Sequence, residues 1–331
     1  MGSFKPSSST MEVDLTQSNH FFSRLMKQKE MPVLIALLVL CVVLSFSSEF
    51  FLTSKNIFNV LRQFSVIAIL AVGQALIIIT GGIDLSVGSL VGLMGICTAL
   101  LAGMGLPAWV IFIGVLLAGC IAGSINGLLV TKVRINPFIV TLGMLSIAKG
   151  VSLLITGGLP ISIENAITFL GSGYISAVPV SVIIMFLVVL AGHIFATRTL
   201  YGRNIYAVGN NERAAKLSGI RVDQVKIMVF VIMGALCALS GIILSGNLST
   251  AEPAAGTGYE LDVIAAVVIG GASLAGGQGS IIGVILGAAI MGVLRNGFVL
   301  LEISAYWQVV TIGLVIIAAV ALDSIKNRKQ T

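Results

Sequence analysis

Charged side chains make up only 10% of this 331-residue chain, against about 25% in an ordinary soluble domain. That shortage excludes a water-soluble globule. Histidine occurs twice, at His20 and His193. With no His-x-x-x-His, no Gly-x-Ser-x-Gly and no paired acids on an apolar segment, an intramembrane enzyme lacks the residues it would need. The four cysteines, Cys41, Cys97, Cys120 and Cys237, lie inside apolar runs without Cys-x-x-Cys or Cys/His spacing. They read as small core residues, and neither a metal nor a cofactor is implied. A phosphate-binding loop is missing too: Gly276-Gly-Gln-Gly279 is too short and has no lysine. The chain does not hydrolyse ATP by itself.

What it has is apolar length. Hydrophobic residues reach 57% and the mean hydropathy is +1.09. About 20 apolar residues cross a hydrocarbon core as a helix, and ten such runs occur, at 32–48, 64–82, 84–103, 107–130, 137–156, 178–196, 226–249, 259–276, 280–300 and 305–322. The expected fold is an all-α integral membrane bundle of about ten transmembrane helices. A polar leader, residues 1–31, precedes a membrane domain at 32–323 that contains one substantial loop at 197–225, and a tail follows at 324–331. No small-residue cleavage site follows the first run, so the leader reads as a cytosolic tail.

The basic residues orient the bundle. With both termini in the cytoplasm, Lys5, Arg24, Lys27, Lys29, Lys132, Arg134, Arg198, Arg203, Arg213, Lys216, Arg221, Lys226, Lys326, Arg328 and Lys329 fall inside, 15 of the 19. This is the positive-inside pattern. The net charge of +6 is thus a mark of topology and gives no reason to invoke nucleic acid. Lys55 and Arg62 flank the first outer loop, and Lys149 and Arg295 sit toward outer helix ends, where long side chains can snorkel. Glu49, Glu164, Glu252 and Glu302 fall in outer loops, which makes that face mildly acidic.

Two internal echoes stand out. Gly82-Ile-Asp-Leu-Ser-Val87 reads against Gly258-Tyr-Glu-Leu-Asp-Val263, and Gly114-Val-Leu-Leu against Gly283-Val-Ile-Leu, each of the latter pair followed by Asn-Gly, at Asn126-Gly127 and Asn296-Gly297. Each echo spans five runs. Because five is odd, partners cross in opposite directions, which implies two inverted five-helix halves. Asp84 and Glu260 occupy matching places, expected at helix starts, where the dipole and free N–H groups favour a carboxylate.

Within the 197–225 loop, "GRNIYAVGNNERAAKLSGI" (202–220) reads as a short helix with Asn211 as N-cap, Glu212 in the first turn, Lys216 late and Gly219 as the terminating residue. Two turns are marginal alone in water, so something should brace them. One face offers Ala214, Ala215 and Ser218, small enough to lie in another protein's groove; resting on its own bundle or on headgroups is the alternative.

This loop, "GIDLSVGS" (82–89), "AGTGYELDVIAAVVIGGASLAGGQGS" (255–280) and "YWQVV" (306–310) together resemble the permease subunits of ribose-type bacterial ABC monosaccharide importers. The likeness runs from about Pro32 to Asp323. It implies a type II importer-like permease fold, a homodimer or a pair with a similar permease, cytosolic ABC ATPase subunits that clamp the loop helix, and a periplasmic sugar-binding protein. By resemblance, Asn210, Asn211, Glu212, Ala214, Ala215, Leu217, Ser218 and Gly219 form the ATPase-docking helix. Ribose stands first as substrate, with xylose, arabinose, galactose, allose or a ribose-derived autoinducer behind it.

A sugar passage needs side chains that match hydroxyls without binding tightly. Asp84, Ser86, Ser89, Asn126, Asn296, Tyr306 and Gln308 are the candidates, each also suited to helix packing or capping, and Tyr306 and Trp307 to anchoring at the interface. Inverted halves would suit an ion-coupled secondary carrier too. That rival needs titratable groups buried in the membrane, whereas every carboxylate falls at or near the end of a run. Composition leaves a membrane scaffold open as well.

Overall fold

A computed structural model describes residues 30–328, with side chains through 321. The leader's Lys5, Arg24, Lys27 and Lys29, and Lys329 at the other end, lie outside the described residues. In chain order the helices are α1 (Met31–Ser47), α2 (Ser54–Ile79), α3 (Val87–Gly103), α4 (Ala108–Thr131), α5 (Pro137–Thr156), α6 (Phe169–Ser172), α7 (Val180–Arg198), α8 (Leu200–Asn210), α9 (Glu212–Leu217), α10 (Val222–Leu248), α11 (Tyr259–Ile269), α12 (Ile281–Leu300) and α13 (Ala305–Arg328). Among the described residues, six of these (α2, α4, α5, α7, α10 and α12) are long and apolar enough to cross a membrane. Shorter apolar helices at α1, α3 and 305–321 stand beside them.

α2 is the central post. From Phe64 to Ile79 every residue is buried, as befits a helix apolar all round. α10 runs beside it and against α4. There, a Cβ on Gly119 or Gly123 would collide with the carbonyl oxygens of Gly234 and Phe230. α11 and α12 meet in the same way, Gly287 lying on the Ala266 carbonyl. Lipid gives apolar faces no reason to prefer each other, so close backbone approach through small residues is what holds such helices together. The outer helices keep large apolar side chains exposed, among them Leu117, Ile121, Ile139, Leu154 and Phe186.

Several run boundaries differ from expectation. The second helix starts earlier, at Ser54, where Thr53 caps it by accepting from the Asn56 N–H. The third starts later, at Val87, because residues 81–86 are unwound; Gly81 holds φ at 83°. The eighth run is helical only through α11, 11 residues, or about 16 Å. Before it, residues 252–258 are non-helical, and after it so are 270–280, with Gly258, Gly271, Gly276 and Gly277 all at positive φ. That conformation is cheap for glycine and strained for other residues. Non-helical backbone at membrane depth survives where protein covers it, and Gly256 lies directly on Gly88 of α3.

Two small antiparallel pairs close the end of the bundle nearer the N-terminus of α2. β1 (Ile161–Ser162) pairs with β4 (Thr250–Ala251), and β2 (Tyr174–Ile175) with β3 (Val178–Pro179). The Tyr174 ring also carries the Arg62 guanidinium, 5.1 Å from its centroid, and Arg62 donates to Asn247 Oδ1 at 3.3 Å.

Candidate functional site

At the opposite end, α8 and α9 lie across the bundle. Gly209 of α8 packs on the Ile79 carbonyl at the end of α2, the Gly277 N–H donates to that same oxygen at 2.9 Å, and Tyr206 Oη donates to Gly279 O at 3.0 Å. Burial pushes the Tyr206 phenol up. α8 therefore ties the short loop helix to α2 and to the glycine-rich 270–280 turn.

α9 is six residues long and is finished at both ends. Asn211 Oδ1 accepts from the Ala214 N–H at 2.9 Å. Gly219, at φ 84°, donates to Lys216 O, and the Ile220 N–H donates to Ala215 O, both at 3.1 Å. This is the two-bond glycine ending that satisfies the last carbonyls of a helix. Lys226 Nζ of α10 reaches Glu212 Oε2 at 2.7 Å. These bonds are the brace that two turns require.

The helix does not present all the residues expected of its docking face. Ala215 turns inward and is 5% exposed, while Leu217 is 84% exposed. A turn of 3.6 residues cannot put both on one side. The outward set is Glu212, Ala214, Leu217, Ser218 and Gly219, beside Asn210 and Asn211.

The passage candidates fall into separate groups. Asp84, Ser86 and Asn126 come together: Ser86 donates its N–H at 2.8 Å and its Oγ–H at 2.6 Å to Asp84 Oδ1, and Asn126 Nδ2 donates to Ser86 Oγ at 3.2 Å. All three are buried. Asp84 is thus a brace for the unwound 81–86 segment, three residues before α3 rather than at its start. Thr141 Oγ1 of α5 donates to Pro137 O at 2.9 Å and lies 3.3 Å from Ile83 O of the same segment.

Asn296 lies elsewhere, in a reciprocal amide pair with Asn56 at 3.0 and 2.8 Å. Because α2 and α3 run in opposite senses across the short 80–86 turn, the Asn56–Asn296 and Ser86–Asn126 pairs sit at opposite ends of the bundle. Ser89 is half-buried on α3. Tyr306 is 85% exposed at the start of α13, and Gln308 Nε2 donates to Ile303 O at 3.3 Å.

Two polar pairs escaped the sequence reading. Asn56 with Asn296 is one. The other is Asp262 on α11 with Arg295 on α12, an ion pair inside the bundle, so Arg295 does not snorkel outward. The available signal was that a charge within an apolar run needs a partner. Among the described residues, no group of three or more His, Cys, Asp or Glu side chains could hold a metal.

Helices of membrane-crossing length, glycine-sealed contacts and unwound segments covered by protein define a multi-pass helical membrane protein of transporter type. Residues 56–320 match the family described as branched-chain amino acid transport system / permease component, and the chain belongs to that family. It is 46% identical to the ribose import permease protein RbsC of Escherichia coli K12 over 327 residues, 97% of this chain and 100% of that one. It is 41% identical to RbsC of Bacillus subtilis 168 over 325 residues, covering 96% and 99%. To the D-allose transport system permease protein AlsC of Escherichia coli K12 it is 40% identical over 289 residues, covering 86% and 88%. No solved structure matches the chain.

Proposed function

We propose that this chain is the transmembrane permease subunit of an ATP-driven importer that carries a monosaccharide, ribose, across the bacterial inner membrane. The observation that carries the proposal is the 46% identity to a ribose import permease along essentially the whole of both chains. The permease is non-catalytic: cytosolic ABC ATPase subunits hydrolyse the nucleotide, a periplasmic sugar-binding protein delivers the sugar, and a second permease copy completes the passage.

Ten crossings, with both termini in the cytoplasm, place α8 and α9 on the cytosolic side and the two small strand pairs outside. The eighth crossing is made by the unwound 252–258 segment plus α11. Inverted halves are supported by the Asn-Gly echoes: Asn126 of α4 and Asn296 of α12 mark opposite ends of the bundle, as inversion requires.

Mechanism follows from what braces what. The exposed face of α9 with Asn210 and Asn211 docks the ATPase. Its motion on ATP binding passes through α8 to the end of α2 and to the 270–280 turn, and from there to α11. Reversing a conformational equilibrium from 1:99 to 99:1 takes about 5.5 kcal/mol of differential binding, which the ATPase supplies by holding one arrangement of α9 more tightly than the other. Of the passage candidates, Ser89, half-buried on α3, is better placed to meet the sugar than the fully buried Asp84, Ser86 and Asn126, which shape the unwound segment.

One structural fact favours an ion-coupled carrier instead: Asp84 and Asp262 are both buried. Asp262, however, has Arg295 as its counter-ion, and Asp84 is spent on Ser86. Vesicle uptake of labelled ribose in competition with xylose, allose, arabinose and galactose tests the substrate. Ribose should be taken up in preference, and preference for another sugar would reassign the substrate within the same class.

A further inference from the structure

Beside α9 lies a groove of about 960 Å³, walled on one side by Val130 to Pro137, where α4 ends and α5 begins, and on the other by α9 and the start of α10. Five cations and two acids line it, and both acids are already engaged. Glu212 holds Lys226 at 2.7 Å and Asp223 holds Lys132 at 2.9 Å. Arg134, Lys216 and Arg221 remain, exposed and without an ion pair among the described residues.

Arg134 is held at φ 62°, a left-handed backbone that a non-glycine residue adopts only when its surroundings impose it. Here they do. The Ile135 N–H donates to Leu129 O at 3.3 Å, and Asn136 Oδ1 caps α5 through the Phe138 N–H at 2.9 Å. Arg134 thus lines the groove from a fixed turn, not from a loose loop.

We infer that this groove is a second docking element for the ATPase that seats on α9, and that it receives a carboxylate-bearing segment of that partner. The inference rests on α9 being the docking helix. Glu212 belongs to both surfaces and Lys216 lies on the same helix, so a protein lying on α9 already reaches the groove. Five cations against two acids in a concave site call for further acidic side chains, and Arg134 and Arg221 can each grip a carboxylate with two N–H groups. Anionic headgroups fit less well. They would leave the protruding Leu217, 84% exposed beside the groove, without the pocket a folded partner provides.

The test titrates the cognate ATPase onto the full chain in nanodiscs at several salt concentrations. Compared are the parent, R134E/R221E, the single variants R134Q and R221Q, and L217D as the α9 probe. The double reversal should weaken binding at least tenfold and flatten its salt dependence, because fewer charge contacts remain to be screened. Each glutamine variant should weaken it about threefold, which keeps the test decisive if the double variant fails to fold.

Parent-like affinity and salt dependence in the arginine variants, with binding lost in L217D, would overturn the groove and leave α9 in its role. No loss in L217D would remove α9 as the docking helix. If the arginine variants lose binding to anionic vesicles while keeping the ATPase, the groove is a lipid site and the inference fails.

Discussion

Asp262 and Arg295 pair between the half-length α11 and the full-length α12, with Asp262 wholly enclosed. The pair joins a helix flanked by two unwound segments to one that packs along its whole length. Asp262 Oδ1 and Arg295 Nε have no hydrogen-bond partner within the described residues, so the contact is made through one edge of each group.

Breaking this pair from one side should hurt more than removing it. Asp262→Asn or Arg295→Met leaves a charge without its partner, at about 3 kcal/mol, the low end for buried pairs because Arg295 is partly exposed. The double variant should recover most of that loss. Unfolding of the three variants in mixed micelles measures it, and additive losses would show that the pair is not coupled.

Glycine contacts make a graded series. Gly123→Val forces a branched side chain onto the Phe230 carbonyl, and Gly287→Val onto that of Ala266, whereas Gly143→Val meets open space. The first two should lose about 1–3 kcal/mol or more of stability and yield aggregated protein on size exclusion. Gly143→Val should behave as the parent.

Asn211 both caps α9 and lies on its docking surface, and the cap should account for the larger part of its effect. Asn211→Ala removes the bond to the Ala214 N–H, at about 1 kcal/mol, which shifts the population of a two-turn helix about fivefold. ATPase affinity should fall by that order while thermal stability of the membrane bundle stays put. Asn211→Asp, which keeps the acceptor, should restore affinity.

Asp84 and Ser86 predict an effect on shape. Ser86→Ala removes one of the two donors to Asp84 and the acceptor for Asn126, leaving buried polar atoms at about 1–3 kcal/mol. Ribose uptake should drop, with the same pH profile as the parent. A change in the pH profile would mean that Asp84 takes part in coupling to protons.

Much of this architecture is legible from hydropathy and punctuation. The runs at 107–130, 137–156 and 280–300 coincide with α4, α5 and α12 to within a residue at each end, because Pro107 and Lys132 bound the first, Pro137 and Gly157 the second, and Ser280 opens the third. Asn211 and Gly219 announced the ends of α9 because caps are local chemistry. The unwound stretches at 81–86 and 270–280 were blurred, since a glycine-rich apolar turn has the hydropathy of a helix. The polar pairs were hidden for another reason. Asn56 and Asn296 are 240 positions apart, and only the packing of α2 on α12 brings them together. The groove beside α9 was equally out of reach, being the product of two segments about 80 residues apart in sequence.

Uptake of labelled ribose into vesicles tests the central claim most directly, with the chain reconstituted alongside its ATPase and sugar-binding protein. ATP on the ATPase side should drive accumulation, and replacing the lysine of the ATPase's phosphate loop should abolish it, with a proton gradient giving nothing in either case. Accumulation driven by the gradient alone, with the ATPase inactive or absent, would contradict the account.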